Sequence, residues 1–168
     1  FAMMQSFDPD AAPGALSVGD IIDPSYLPVD AVGTGYNAKM ALLGRLFINP
    51  SRDNLLNTLL TQQSDVWAYR FDWAQQAAPW NTVYGAAHAF DLPFLFSNFG
   101  PSVFARTTNS RANEPGRRVL SGAMTASLGA FMRTGNPQNQ ALGQRWNAWP
   151  STLIFDADQT TQRIHQQP

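Results

Sequence analysis

The chain has 168 residues, 44% hydrophobic and 14% charged, with a formal net charge of −1. That suffices for one globular domain or a large piece of one. The near-neutral balance leaves no basic footprint for nucleic acid, and no apolar run approaches the length of a membrane span. With no cysteine and two distant histidines, His88 and His165, neither a metal nor another cofactor is expected. Gly33-Thr34-Gly35 lacks the strand-to-helix setting of a phosphate loop. No basic leader follows Phe1, so no secretory signal is expected, and because the first residue is not Met the chain is expected to begin inside a longer protein. So few charges beside five tryptophans imply that much of its surface lies against something else.

Residues 1–38 read as irregular, with a short helical turn near Phe1–Met4. Pro9, Pro13, Pro24, Pro28 and Gly14, Gly19, Gly33, Gly35 punctuate the stretch. Its acids, Asp8, Asp10, Asp20, Asp23 and Asp30, mostly adjoin Pro or Gly, which is turn chemistry. Apolar residues from Lys39 to Phe47 recur at helical spacing. Asn49-Pro50 then opens a second helix, with Leu55, Leu56, Leu59 and Leu60 on one face. Both stripes read as core.

Asp65 to Trp73 alternates and is rich in aromatics, the pattern of a strand. Trp67, Tyr69, Phe71 and Trp73 share one face; Val66, Ala68, Arg70 and Asp72 share the other. Bulk on both faces suits a strand covered on both sides, as in a parallel α/β sheet, and Arg70 and Asp72 read as a structural ion pair. A loop from Ala74 to Tyr84 follows, and His88 comes after it, beyond the C-terminal end of the strand. Ligands of open α/β sheets bind outside those ends. His88 therefore has two readings, a hydrogen-bonded core residue or a site residue. Gly85, Ala86 and Ala87 before it let the backbone turn tightly, and Pro93 stops a long helix after it. Trp80, Tyr84 and Phe90 flank the histidine, either lining an aromatic substrate pocket or packing in the core.

Phe90 to Phe104 reads as a short helix and a surface turn that wall a pocket, or as plain packing. Residues 105–113 read as polar and mobile. Asn113 or a neighbour caps an amphipathic helix over 115–133, built on Val119, Leu120, Met124, Leu128, Phe131 and Met132 and ended by Gly135. Asn136 to Gln144 is loop, and Trp146, Trp149 and Pro150 are apolar anchors. Thr152 to Asp156 reads as a short edge strand and Gln159 to Pro168 as a frayed polar tail, with no role for His165.

Four segments in register, Val66–Trp73, Gly85-Ala-Ala-His88-x-x-Asp91-Leu-Pro-Phe-x-Phe96, Phe131–Pro137 and Trp149-Pro150, resemble the C-terminal part of the type-B carboxylesterases. That group includes para-nitrobenzyl esterases and cholinesterases, and the resemblance runs from about Phe47 to Asp158. It implies that residues 1–168 are the C-terminal portion of a single α/β-hydrolase domain. The implied fold is α/β, a mixed and mostly parallel sheet with helices on both faces, incomplete without an N-terminal companion segment. The implied function is carboxylic ester hydrolysis by a Ser-His-acid triad, with His88 as the catalytic acid-base and Asp91 as a structural neighbour. In this fold the order is Ser, then acid, then His, and no Gly-x-Ser-x-Gly elbow or oxyanion segment is present. Phe1–Met4 looks like the residues just after the family's acid, leaving Asp8 and Asp10 as the nearest, poor candidates. The implied partners are the N-terminal part of the same enzyme and a small ester substrate. The alternative is a non-catalytic binding or adhesion protein on the same fold.

Overall fold

The computed structural model describes residues 2–12, 14, 16–23, 25 and 35–168. Readings made for Phe1, Pro13, Pro24, Pro28, Asp30, Gly33 and Thr34 lie outside them. Helix α1 spans Ala2–Ser6, and the acids that follow it act in turns as expected. Asp8 accepts from the Asp10 amide at 3.0 Å, and Asp20 from both the amide and hydroxyl of Ser17 at 2.8 Å.

Helices α2 (Gly35–Leu43) and α3 (Asn49–Leu60) are joined by a π-helical turn, Gly44–Ile48. Asn49-Pro50 opens α3 as expected, with Pro50 in its first turn, although the backbone before it is already helical through the π-turn. The apolar stripes are not core either. Leu46, Phe47, Ile48 and Leu55 are 58–67% exposed, and only Leu56 is buried, against Val66 and Ala68. Helical spacing reveals that an apolar face exists; it does not reveal that the same chain covers it.

Strand β1 (Ala68–Phe71) pairs in parallel with β2 (Thr152–Phe155), and β2 pairs antiparallel with β3 (His165–Gln167). The order β1-β2-β3 puts β2 in the middle, not at an edge, and its Leu153 and Ile154 are fully buried. The tail is ordered as β3 because Asp158 closes the turn before it. Its carboxylate accepts from Arg163 at 3.0 Å and from the amides of Thr160 and Thr161 at 2.7 Å, and the two amide bonds hold its pKa far below the ordinary value. A polar edge strand leaves no hydrophobic pattern to read.

The alternation in β1 is realised. Trp67, Tyr69, Phe71 and Trp73 join the main core with Leu120, Met124, Leu153 and Phe155, while Val66 and Ala68 face the α3 side. Arg70 and Asp72 pair at 2.6 Å. Between Phe71 and Thr152 lie four α-helices, α4 (Trp80–Val83), α5 (Leu92–Leu95), α6 (Ala105–Thr108) and α7 (Glu114–Thr134), and a 3-10 turn, Gln140–Leu142. Helix α7 begins with Pro115 in its first turn and ends at Gly135 in the left-handed region, φ 73°. It buries Leu120, Ala123 and Met124 against the sheet but leaves Val119, Phe131 and Met132 exposed. Gly116 lies so close to the Asp158 carbonyl that no side chain fits there, and its N–H donates to Gln159 at 2.8 Å.

Residues 105–113 are not a loose surface loop. Thr107 and Asn113 are fully buried and Ser110 nearly so. Asn113 stands at the start of α7, but its side chain does not cap the helix. It serves a buried network with Ser110, Gln75, Thr108 and Arg117 instead.

Candidate active site

The turn that carries His88 is built from the loop after β1. Trp80, 2% exposed, begins α4 and stacks on Tyr84 with centroids 5.4 Å apart. Gly85 then takes φ +53°, which favours glycine, and Gln76 donates to its carbonyl at 2.8 Å. Beyond His88, Ala89 also has a positive φ of 66°, a conformation that costs about 1 kcal/mol for a residue with a Cβ. The Phe90 amide closes the turn onto the Ala87 carbonyl at 3.1 Å.

The C-terminal side of the turn is tied to the sheet. Phe90 is buried and packs on Tyr84 and Phe104. The Tyr69 hydroxyl of β1 donates to Asp91 at 2.7 Å. Helix α5 follows at once, and hydroxyls of α7 hold its end: Ser121 donates to the Phe94 carbonyl at 2.8 Å and Thr125 to that of Leu95 at 3.1 Å. His88 itself is exposed, and its ring has no hydrogen-bond partner among the described residues. It lies in a turn held on both sides, not among core side chains.

Three cavities accompany this frame. One of about 250 Å³ is walled by Trp67, Tyr69, Trp146 and Leu56 and Leu59 of α3, and one of about 720 Å³ by Phe7, Asp8 and Leu16 and the loop 74–78. One of about 70 Å³ lies between Trp73, Phe90 and Phe104. His88 lines none of the three. Among the residues singled out in the sequence, His88, Phe90 and Asp91 share one turn, with Tyr84 packed on Phe90. Trp80 lies in a separate core cluster with Met4, Ile22 and Val83. Asp10 is engaged elsewhere, accepting from the Arg111 amide at 2.7 Å, and neither it nor Asp8 hydrogen-bonds the histidine. His165 sits on β3, its Nδ1 3.1 Å from the Arg163 carbonyl oxygen.

Sequence reasoning passed over Tyr69 and Gln76. The alternation of β1 put Tyr69 on the core face without hinting at its tie to Asp91, and nothing local marks a glutamine in a loop. Burial, and then the bond to Asp91, raise the Tyr69 phenol above its ordinary pKa of 10.0. The unfolded chain therefore loses this proton first as pH rises. The stability it contributes is complete below pH 10 and is lost above it. Tyr69→Phe is expected to flatten the fall in urea-unfolding stability between about pH 9 and 11; an unchanged slope contradicts the pairing.

Chemically, an exposed imidazole on a fixed turn suits proton transfer at neutral pH. Among the described residues no group of three or more His, Cys, Asp or Glu could hold a metal, and no helix is long and apolar enough to cross a membrane.

A small mixed sheet with a long helix packed on it places the molecule in the α/β class. The family model described as the carboxylesterase family matches residues 27–168, and the chain belongs to that family. A comparison with curated proteins found no match. Among solved structures, a Geobacillus stearothermophilus carboxylesterase is 26% identical, with 61% of this chain and 20% of that one covered and a TM-score of 0.42. A PNB esterase is 28% identical over the same shares, with a TM-score of 0.45. An esterase from Clostridium hathewayi is 22% identical over 59% of this chain and 18% of its own, with a TM-score of 0.40. The chain thus spans about a fifth of the length of the solved structures it matches.

Proposed function

We propose that this chain is the C-terminal portion of one α/β-hydrolase domain and supplies the acid-base histidine of a carboxylic ester hydrolase. The observation that carries the reading is the state of His88, an exposed ring on a turn held by Gln76 on one side and Tyr69 on the other. Family membership supports it. In this reading His88 takes the proton of a serine hydroxyl as the oxygen attacks the ester carbonyl. It returns that proton to the departing alcohol, leaving an acyl-enzyme. Water then attacks the acyl carbon, gives its proton to His88, and the serine leaves with it. A carboxylate orients the ring, and backbone amides hold the oxyanion.

The serine, the oxyanion donors and the acid come from an N-terminal companion segment. Two features support such a partner. Among the described residues β1 has a paired neighbour on one side only, and an open strand edge invites another strand. The apolar residues of the π-turn and α3 lie exposed nearby in sequence. Asp91 keeps a structural part, through Tyr69. Of the aromatic residues, Tyr84 is the partly exposed one placed to meet a small ester, with Trp80 and Phe90 behind it.

The test is hydrolysis of a chromogenic short-chain ester by the assembled protein. Saturable turnover is expected; its absence in a folded assembly favours the non-catalytic binding protein.

A further inference from the structure

We infer that Gln76 is a positioning residue for His88, fixing the Gly85 carbonyl and with it the backbone that aims the imidazole. The inference rests on the reading of His88 as the acid-base. Gln76 is 4% exposed, and its Nε2 donates to the Gly85 oxygen at 2.8 Å. Among the described residues, no other side chain hydrogen-bonds the backbone of residues 85–90. That short stretch needs an external hold, since both Gly85 and Ala89 sit in the left-handed region, at φ 53° and 66°. Strained turns persist where their surroundings over-determine them.

The glutamine is itself held in place. Asn113 donates to the carbonyl of Gln75, the preceding residue, at 2.8 Å. The orientation of the Gln76 amide is also set, because exchanging its oxygen and nitrogen would turn two oxygens on each other.

Gln76 Oε1 is buried and has no hydrogen-bond partner among the described residues. An unpaired buried acceptor is a net cost, and an apolar side chain of similar length would fill the space without it. A glutamine here is useful for the bond it makes to Gly85. Losing that bond lets the turn drift, and small misplacements of an acid-base group slow the chemical step far more than they weaken binding.

The experiment compares Gln76→Met, Gln76→Leu and His88→Ala in the assembled protein, with kcat and KM for a chromogenic short-chain ester and a urea midpoint for each. The two Gln76 variants are expected to remain folded, with kcat lowered about tenfold or more and KM within about twofold. If one variant does not fold, the other decides. A kcat within twofold of the parent, or a loss expressed in KM alone, beside an inactive His88→Ala overturns the inference and leaves the reading of His88 standing. A fully active His88→Ala overturns both.

Discussion

Replacing His88 by alanine in the assembled protein is expected to lower kcat by at least about 10³-fold while leaving the folded state intact. The size follows from the step proposed for the ring. A serine hydroxyl is a weak nucleophile until a base removes its proton, and the alkoxide leaving group is poor until an acid supplies one. One imidazole does both, so its loss affects acylation and deacylation together. The residual rate is what binding and an oxyanion site supply unaided. Stability is expected to hold because the ring is exposed and makes no hydrogen bond among the described residues. Steady-state rates, with a urea midpoint as control, check both halves. Unchanged turnover removes His88 from the mechanism.

Asn113→Ala carries the largest expected cost in stability. The side chain is fully buried. Its Nδ2 donates to the carbonyls of Gln75 and Thr108 at 2.8 and 2.9 Å, and its Oδ1 accepts from the Ser110 amide at 3.1 Å and from Arg117 Nε at 2.6 Å. Alanine leaves these groups without their partner in an interior that water does not reach. Arg117 is the most exposed to the loss. It is nearly buried, lies 4.8 Å over the Phe99 ring, and its pKa is already lowered by burial. A loss of about 3–5 kcal/mol is expected, read as a fall in the urea midpoint without a change in slope. A change below about 1 kcal/mol would contradict the network. Because Asn113 also holds Gln75, the variant loosens the loop that bears Gln76, so stability and catalysis should fall together.

What could be read from the sequence was whatever repeats with a period. The alternation from Trp67 to Trp73 assigned two faces correctly, and the spacing of Leu120 and Met124 with Gly135 behind them placed α7 within a residue at each end. Exposure was not legible, because spacing shows an apolar face and not what covers it. The leucines of α3 have the spacing of a core helix, and only Leu56 is buried. Polar structure was legible only at short range, in the Arg70–Asp72 pair and the aspartate turns. Asn113 looked like a cap, and the segment before it like mobile surface, because nothing in a run of Thr, Asn, Ser and Arg distinguishes a buried hydrogen-bond network from a solvated loop. Strand β3 was hidden for the same reason, its order depending on the Asp158 turn rather than on hydrophobic residues. Near His88, the sequence marked the histidine and the glycine that lets its turn form. The residues that hold its turn, Gln76 and Tyr69, act across gaps of 9 and 22 positions that no local pattern encodes.

The most direct measurement is a structure of the assembled protein. A serine Oγ from the companion segment is expected within hydrogen-bond reach of the His88 ring, about 2.6–3.2 Å. An elbow without a nucleophile, or a serine too far for even a bridging water to link it to that imidazole, would contradict it.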